Sequence, residues 1–108
     1  MKIKEMRFTL EELESLENGD GATLSRFNRI SFEDGYEVAT DGIETSNPLE
    51  AWAYILQNGG SCGVWFEDGI YYIDHSRHIE DYNEAVELGR KCKQISILDW
   101  DTMECIYL

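Results

Sequence analysis

Basic residues are scarce in this chain. Nine Lys and Arg stand against 22 Asp and Glu, a net charge of −13. That imbalance argues against direct binding to nucleic acid or to an anionic membrane surface, since both carry the same sign. Cysteine is also sparse. Cys62, Cys92 and Cys105 are an odd, scattered set, the pattern of reduced, mostly buried thiols in a cytoplasmic protein and not of a disulfide framework. No apolar run approaches the length of a membrane span, and the first ten residues are charged and lack the apolar stretch of a signal peptide. A phosphate-cradling glycine loop is missing too. Gly19-Asp20-Gly21 has no following Gly and Lys, and Asn58-Gly59-Gly60 reads as a helix stop.

What is present describes a folded chain. Its 108 residues are 43 % hydrophobic and include thirteen aromatics, enough for one domain with a single core. One four-residue unit recurs: Phe-Glu-Asp-Gly at 32–35 and again at 66–69. Each copy lies between apolar-rich runs, Ile30-Ser31-Phe32 before Tyr36-Glu37-Val38, and Val64-Trp65-Phe66 before Ile70-Tyr71-Tyr72-Ile73. A two-residue Asp-Gly loop lets both central residues take positive φ, which suits the twist of a hairpin. Each copy is therefore expected to be a hairpin tip carrying two acids.

Helix signals punctuate the rest. Thr9 with Glu12 three residues on has capping-box spacing, and Phe8 and Leu13 stand at staple positions. Leu10, Leu13 and Leu16 then predict a short helix over 10–17, stopped by Asn18-Gly19. Its outer face carries Glu11, Glu14 and Glu17. A strand is expected over the later part of 22–32, with an irregularity near Asn28. Another follows over 36–40, and 41–46 reads as a loop. Asn47 caps a second helix, with Pro48 at its first position, Ala51, Trp52, Ile55 and Leu56 on its apolar face, and Asn58-Gly59-Gly60 at its end. After the second hairpin, to about Ile73, a loop holding Asp74, His75, Arg77 and His78 leads to Asp81, the cap of a helix over 82–92. Strands over 95–98 and 105–108 close the chain.

Sliding the chain by 34 residues superposes more than the tips. Glu50-Ala51 falls on Glu84-Ala85, the cap Asn47 on the cap Asp81, and Trp100-Asp101-Thr102-Met103 on the place of a third Phe-Glu-Asp-Gly. A 34-residue hairpin–helix repeat and a chance likeness of two ββα pieces both fit this. Either way the expectation is an α+β fold, a mostly antiparallel sheet with helices on one face in ββα-ββα-ββ order after a short N-terminal helix. Residues 1–108 form one domain, with 1–21 the N-terminal helix segment and 22–108 the hairpin–helix units.

The charge map points to a class of partner. Between Arg29 and Arg77 there is no Lys or Arg, and nine acids lie in that gap. Alternate strand residues are about 6–7 Å apart, close to the spacing of phosphates along a DNA strand. An acidic folded surface of this kind can occupy a basic groove built for a nucleic-acid backbone. The candidate contacts are Glu33, Asp34, Glu37, Glu67 and Asp68, with Asp41, Glu44 and Asp74 behind them. A merely solvated acidic surface is the plain alternative. Catalytic signals are weak. Asp74, His75 and His78 could touch a metal, yet no second cluster completes a site. Asp74, His75 and Ser76 are adjacent in sequence, unlike an assembled triad. No enzyme activity, metal or cofactor is expected. Of Tyr71 and Tyr72, neighbours on a strand, one must face away from the core.

Gly35-Tyr36-Glu37-Val38-Ala39-Thr40, Gly63-Val64-Trp65-Phe66, Gly69-Ile70-Tyr71-Tyr72-Ile73-Asp74 and Ile95-Ser96-Ile97-Leu98 together resemble small proteins carried by phages and conjugative elements of Gram-positive bacteria. In size and acidity the chain is similar to anti-CRISPR and antirestriction proteins, many of them compact acidic domains that block a nuclease at its DNA-binding surface. The resemblance is one of type and carries over no functional residue. It implies an inhibitor of a CRISPR or restriction nuclease, acting in the host cytoplasm, since such nucleases hold DNA in positively charged channels. The alternative is a non-catalytic interaction or regulatory module of a mobile element that binds through apolar surface.

Overall fold

The computed structural model describes residues 3–58 and 61–108. Among them are eight strands and three helices: β1 (Ile3–Arg7), α1 (Leu10–Glu14), β2 (Gly21–Ser25), β3 (Asn28–Phe32), β4 (Tyr36–Thr45), α2 (Pro48–Gln57), β5 (Ser61–Glu67), β6 (Ile70–Ile79), α3 (Tyr82–Lys91), β7 (Ser96–Asp99) and β8 (Glu104–Tyr107). The strands form one antiparallel sheet in the order β1-β3-β2-β5-β6-β4-β7-β8. The α+β class and the helices on one face are as expected.

The helix starts follow their capping chemistry. Thr9 accepts from the Glu12 amide at 3.2 Å, Asn47 from Leu49 at 2.9 Å and Asp81 from Glu84 at 2.9 Å, each satisfying a donor that the first helical turn leaves free. Phe8 and Leu13 are buried in one cluster, as a staple requires. α1 is shorter than expected and ends at Glu14. Gly59 and Gly60, read as a helix stop, lie outside the described residues.

All three helices cover the same face. Leu13, Ala51 and Ile55 meet Leu24, Cys62, Val64, Tyr71 and Ile73 over β2, β5 and β6. Ala85 of α3 meets Val38 and Ile97 over β4 and β7. Burying each of the Leu, Ile and Val side chains among them stabilises by about 1.5–3 kcal/mol, so these two clusters hold the layers together.

The first Phe-Glu-Asp-Gly is not a hairpin tip. β3 pairs with β1 and β2, whereas β4 pairs with β6 and β7, so residues 33–35 cross between strands that never meet. The hairpin in this part of the chain comes earlier, with Ser25 opposite Asn28 and Arg26 in the left-handed region at φ 52°. What the sequence showed as an irregular strand is two strands and a tight turn. The second copy is a two-residue hairpin, Glu67 opposite Ile70, with φ 49° at Asp68 and 79° at Gly69, the geometry expected of a tight Asp-Gly loop.

Two expected loops are strand. β4 continues through Thr45 and β6 through Ile79, because they pair with each other along their whole length, from Tyr36 opposite Ile79 to Thr45 opposite Tyr71. The ladder overrides the Asp41-Gly42 turn signal and absorbs it as an irregularity: Ala39 faces Ser76 and Asp41 faces His75, leaving Thr40 unpaired. One extra residue reverses which face each later side chain takes. Tyr36 and Val38 face the helices before it, and Ile43 does so after it.

Candidate interaction surface

The sheet face opposite the helices is where side chains converge without a covering layer. Near one end, Glu37 is 8 % exposed. Its carboxyl oxygens accept from Ser61 Oγ at 2.6 Å, Ser76 Oγ at 2.7 Å and Trp100 Nε1 at 3.0 Å. The four residues come from β4, β5, β6 and the turn after β7, so the network fixes the register of four neighbouring strands. Phe32 bears on it from the crossover, stacked on the His78 ring at 3.8 Å between centroids and tilted against Trp100 at 5.6 Å. Glu37 was among the expected partner contacts. The fold spends its acceptors internally and withdraws it from solvent.

Toward the other end the same face opens into a trough of about 650 Å³. Register places Gly21, Trp65 and Tyr72 in one row across it, and Thr23, Gly63 and Asp74 in the next. A β-carbon added at Gly21 would lie 3.2 Å from the Trp65 ring, so glycine there lets the indole lie over the neighbouring strand; at Gly63 an added β-carbon would meet nothing within 4 Å. Trp65 is 49 % exposed, and Tyr72 is 36 % exposed while its neighbour Tyr71 is buried. Tyr72 is thus the tyrosine that faces away from the core. Partial burial pushes the Asp74 carboxyl above the ordinary aspartate range.

The remaining expected acids do not form one patch. Glu33 and Asp34 lie at one end of the central strand pair, where β4 begins opposite the end of β6. The Tyr36 hydroxyl there is pushed up by desolvation and by the nearby Asp99, Tyr82, Asp101 and Asp81. Glu67 and Asp68 lie at the opposite end, since the ten residues of β6 separate them from the first group, a span of about 30 Å. Asp41 pairs with His75 and adds to the upward shift of the Tyr54 hydroxyl, which burial dominates. Glu44 pairs with Tyr72 and lines a second hollow, which adjoins the trough at Tyr72 and Asp74.

The fold adds acids that the partner reading passed over. The loop after α1 lies along the second tip: the Gly19 amide donates to the Phe66 carbonyl at 2.9 Å, the Phe66 amide to the Asp20 carbonyl at 3.0 Å, and the Asp68 amide to Asn18 Oδ1 at 2.9 Å. Glu17 and Asp20 therefore join Glu67 and Asp68. A second base-free stretch, residues 8–25 with five acids, was the available signal. Nineteen of the 22 acids are exposed.

His75 and His78 cannot act as a pair. Three strand positions separate them, about 10 Å, and they point to opposite faces. His78 Nε2 is 2.7 Å from the Asp34 carbonyl oxygen. Among the described residues no group of three His, Cys, Asp or Glu is arranged to hold a metal, and no helix is long and apolar enough to cross a membrane. Cys62 is buried and its thiol is pushed up to about 11, by desolvation first and by Asp74 second, so it is a poor nucleophile. Comparison with family models, curated proteins and solved structures returns no match.

Proposed function

We propose that the protein is a non-catalytic inhibitor from a mobile element that binds the basic, nucleic-acid-binding surface of a host defence nuclease in the cytoplasm. The observation that carries this reading is the joining of Glu17, Asp20, Glu67 and Asp68 at one end of the sheet, from two chain stretches that contain no Lys or Arg. Carboxylates held on a rigid turn and a docked loop are ordered before binding, so little entropy is lost when a basic groove closes on them. At this net charge, long-range attraction also speeds encounter with a positive surface.

The test is capture of nucleases from a bacterial lysate, followed by competition with duplex DNA. DNA should displace the protein, and affinity should fall as salt rises. A folded variant carrying Glu17→Lys, Glu67→Lys and Asp68→Asn should lose binding; undiminished binding by that variant would remove this end from the interface. Trp65, Tyr72 and Met103, the last 64 % exposed, favour a second reading, an interaction module that docks through apolar surface. Its mark would be a complex insensitive to salt.

A further inference from the structure

The trough on the helix-free face has features that neither a solvated acidic surface nor a core requires. Its floor at Gly63 is open. Trp65, Tyr72 and Asp74 line it together with the apolar Ile30, Leu98, Trp100 and Met103, and Glu44 lines the adjoining hollow that shares Tyr72 and Asp74. Resting on the reading that the partner is a basic protein, we propose that this trough receives an arginine side chain of that partner, its guanidinium stacked on Trp65 and Tyr72 and paired with Asp74 and Glu44.

The chemistry selects this occupant over others. An aromatic face attracts a cation through its ring quadrupole, and a planar guanidinium can stack on the ring while its N–H fork reaches a carboxylate; an ammonium can do only part of this. Register brings the two kinds of group together. Trp65 pairs with Tyr72, Tyr72 pairs with Glu44, and Gly63 pairs with Asp74, so each ring has an acid within one or two positions. Gly63 supplies the depth: any larger residue would stand where the incoming side chain must pass. A nucleic-acid base could also stack on Trp65, but its phosphates would meet a chain of charge −13. A second copy of this chain would bring the same charge against itself. Arg29 also lines the trough and donates to the Gly21 carbonyl at 3.3 Å; in the sheet order its strand, β3, is separated from Asp74 on β6 by β2 and β5.

The experiment uses the intact protein labelled with ¹⁵N and a short peptide of repeated Ser-Gly-Arg, its citrulline counterpart of equal length, and its lysine counterpart of equal charge. The Trp65 indole N–H resonance, assigned by its loss in Trp65→Ala, reports occupancy. We expect the arginine peptide to shift that resonance and the citrulline peptide to bind at least tenfold more weakly. Gly63→Val, which fills the floor without a backbone clash, should weaken the arginine peptide at least tenfold, as should Asp74→Asn, with the rest of the spectrum preserved. Equal affinity for the lysine peptide would overturn the assignment to arginine. A shift of the Trp65 resonance by single-stranded DNA in place of the peptide would overturn a protein partner at this face. If the arginine peptide binds Gly63→Val as tightly as the parent and is lost instead in the Glu17→Lys, Glu67→Lys variant, the trough proposal fails while the basic-partner reading stands.

Discussion

Phe66-Glu67-Asp68-Gly69 closes a hairpin, whereas Phe32-Glu33-Asp34-Gly35 carries the chain from β3 to β4, four places along the sheet order. The glycines behave alike, with φ of 79° and 81°. The phenylalanines do not: Phe66 packs on Tyr71 one strand away, and Phe32 packs on His78 and Trp100. The difference begins downstream. β4 and β6 are both ten residues long, start 34 residues apart and lead into helices also 34 apart. Only β4 carries the unpaired Thr40. Beyond it the two strands are in phase; before it they are not, so Glu37 faces away from the helices and its counterpart Tyr71 faces them. A local turn signal thus fixes a glycine's dihedral, and the phase of the following strand decides what the turn connects.

The largest test of this contrast is at those counterparts. Glu37→Ala strips the shared acceptor from two hydroxyls and an indole N–H. Ser61 and Ser76 can turn to each other's carbonyls, at 3.2 and 3.3 Å, but the indole is orphaned. We expect a loss of about 3 kcal/mol in urea unfolding, partly restored by Glu37→Gln. Tyr71→Phe removes one long bond to the Leu13 carbonyl, at 3.3 Å, and should cost about 1 kcal/mol or less. Similar values for the two would mean that the network does not hold the register.

The glycines separate next. Alanine in the left-handed region costs about 1–2 kcal/mol at either site. At Gly69 an added β-carbon meets nothing, while at Gly35 it would lie 2.5 Å from His78 Nε2, forcing the ring off Phe32. Gly35→Ala should therefore destabilise by about 1 kcal/mol more than Gly69→Ala in paired thermal melts. The third position of the series sharpens the point. Met103, 34 residues past Gly69, keeps a left-handed φ of 59° although the glycine is gone. Met103→Gly should gain up to about 1 kcal/mol by relieving that strain, less the entropy glycine adds to the unfolded chain.

These particulars show how far the sequence was legible. Caps, helices and the second hairpin rest on neighbours in the chain and were readable. The strand status of 41–45 and 74–79 was not, because it arises from β4 pairing with β6, from Thr45 opposite Tyr71 to Tyr36 opposite Ile79, far apart in the chain, and local turn residues conceal it. The acids were visible as a charge gap, but their grouping was not. It took the register to set Glu33 and Asp34 about a β6 length from Glu67 and Asp68, and to bury Glu37. The β5–β6 hairpin already sets Trp65 opposite Tyr72, but the trough also needed β2 to pair with β5 and bring Gly21 beside them, which no spacing along the hairpin announces.

The smallest expected effect concerns Asp74, which matches Thr40 by the 34-residue offset. On β4 that position bulges; on β6 it holds a carboxyl opposite Gly42, with an added β-carbon at Gly42 reaching within 2.6 Å of Asp74 Oδ1. Burial raises the Asp74 pKa in the folded state above its ordinary value of 3.8. The folded protein then holds this proton more tightly than the unfolded chain does. Its contribution is present in full below pH 3.8 and is lost as pH rises through the folded value. Asp74→Asn removes that dependence. The variant should be slightly more stable than the parent at neutral pH, and the gap between the two should narrow as pH falls toward 3.8. Thermal melts across that range measure it directly. A gap that widens on acidification would mean that Asp74 is stabilised as the carboxylate, and that its place on β6 serves the fold as Glu37 does on β4.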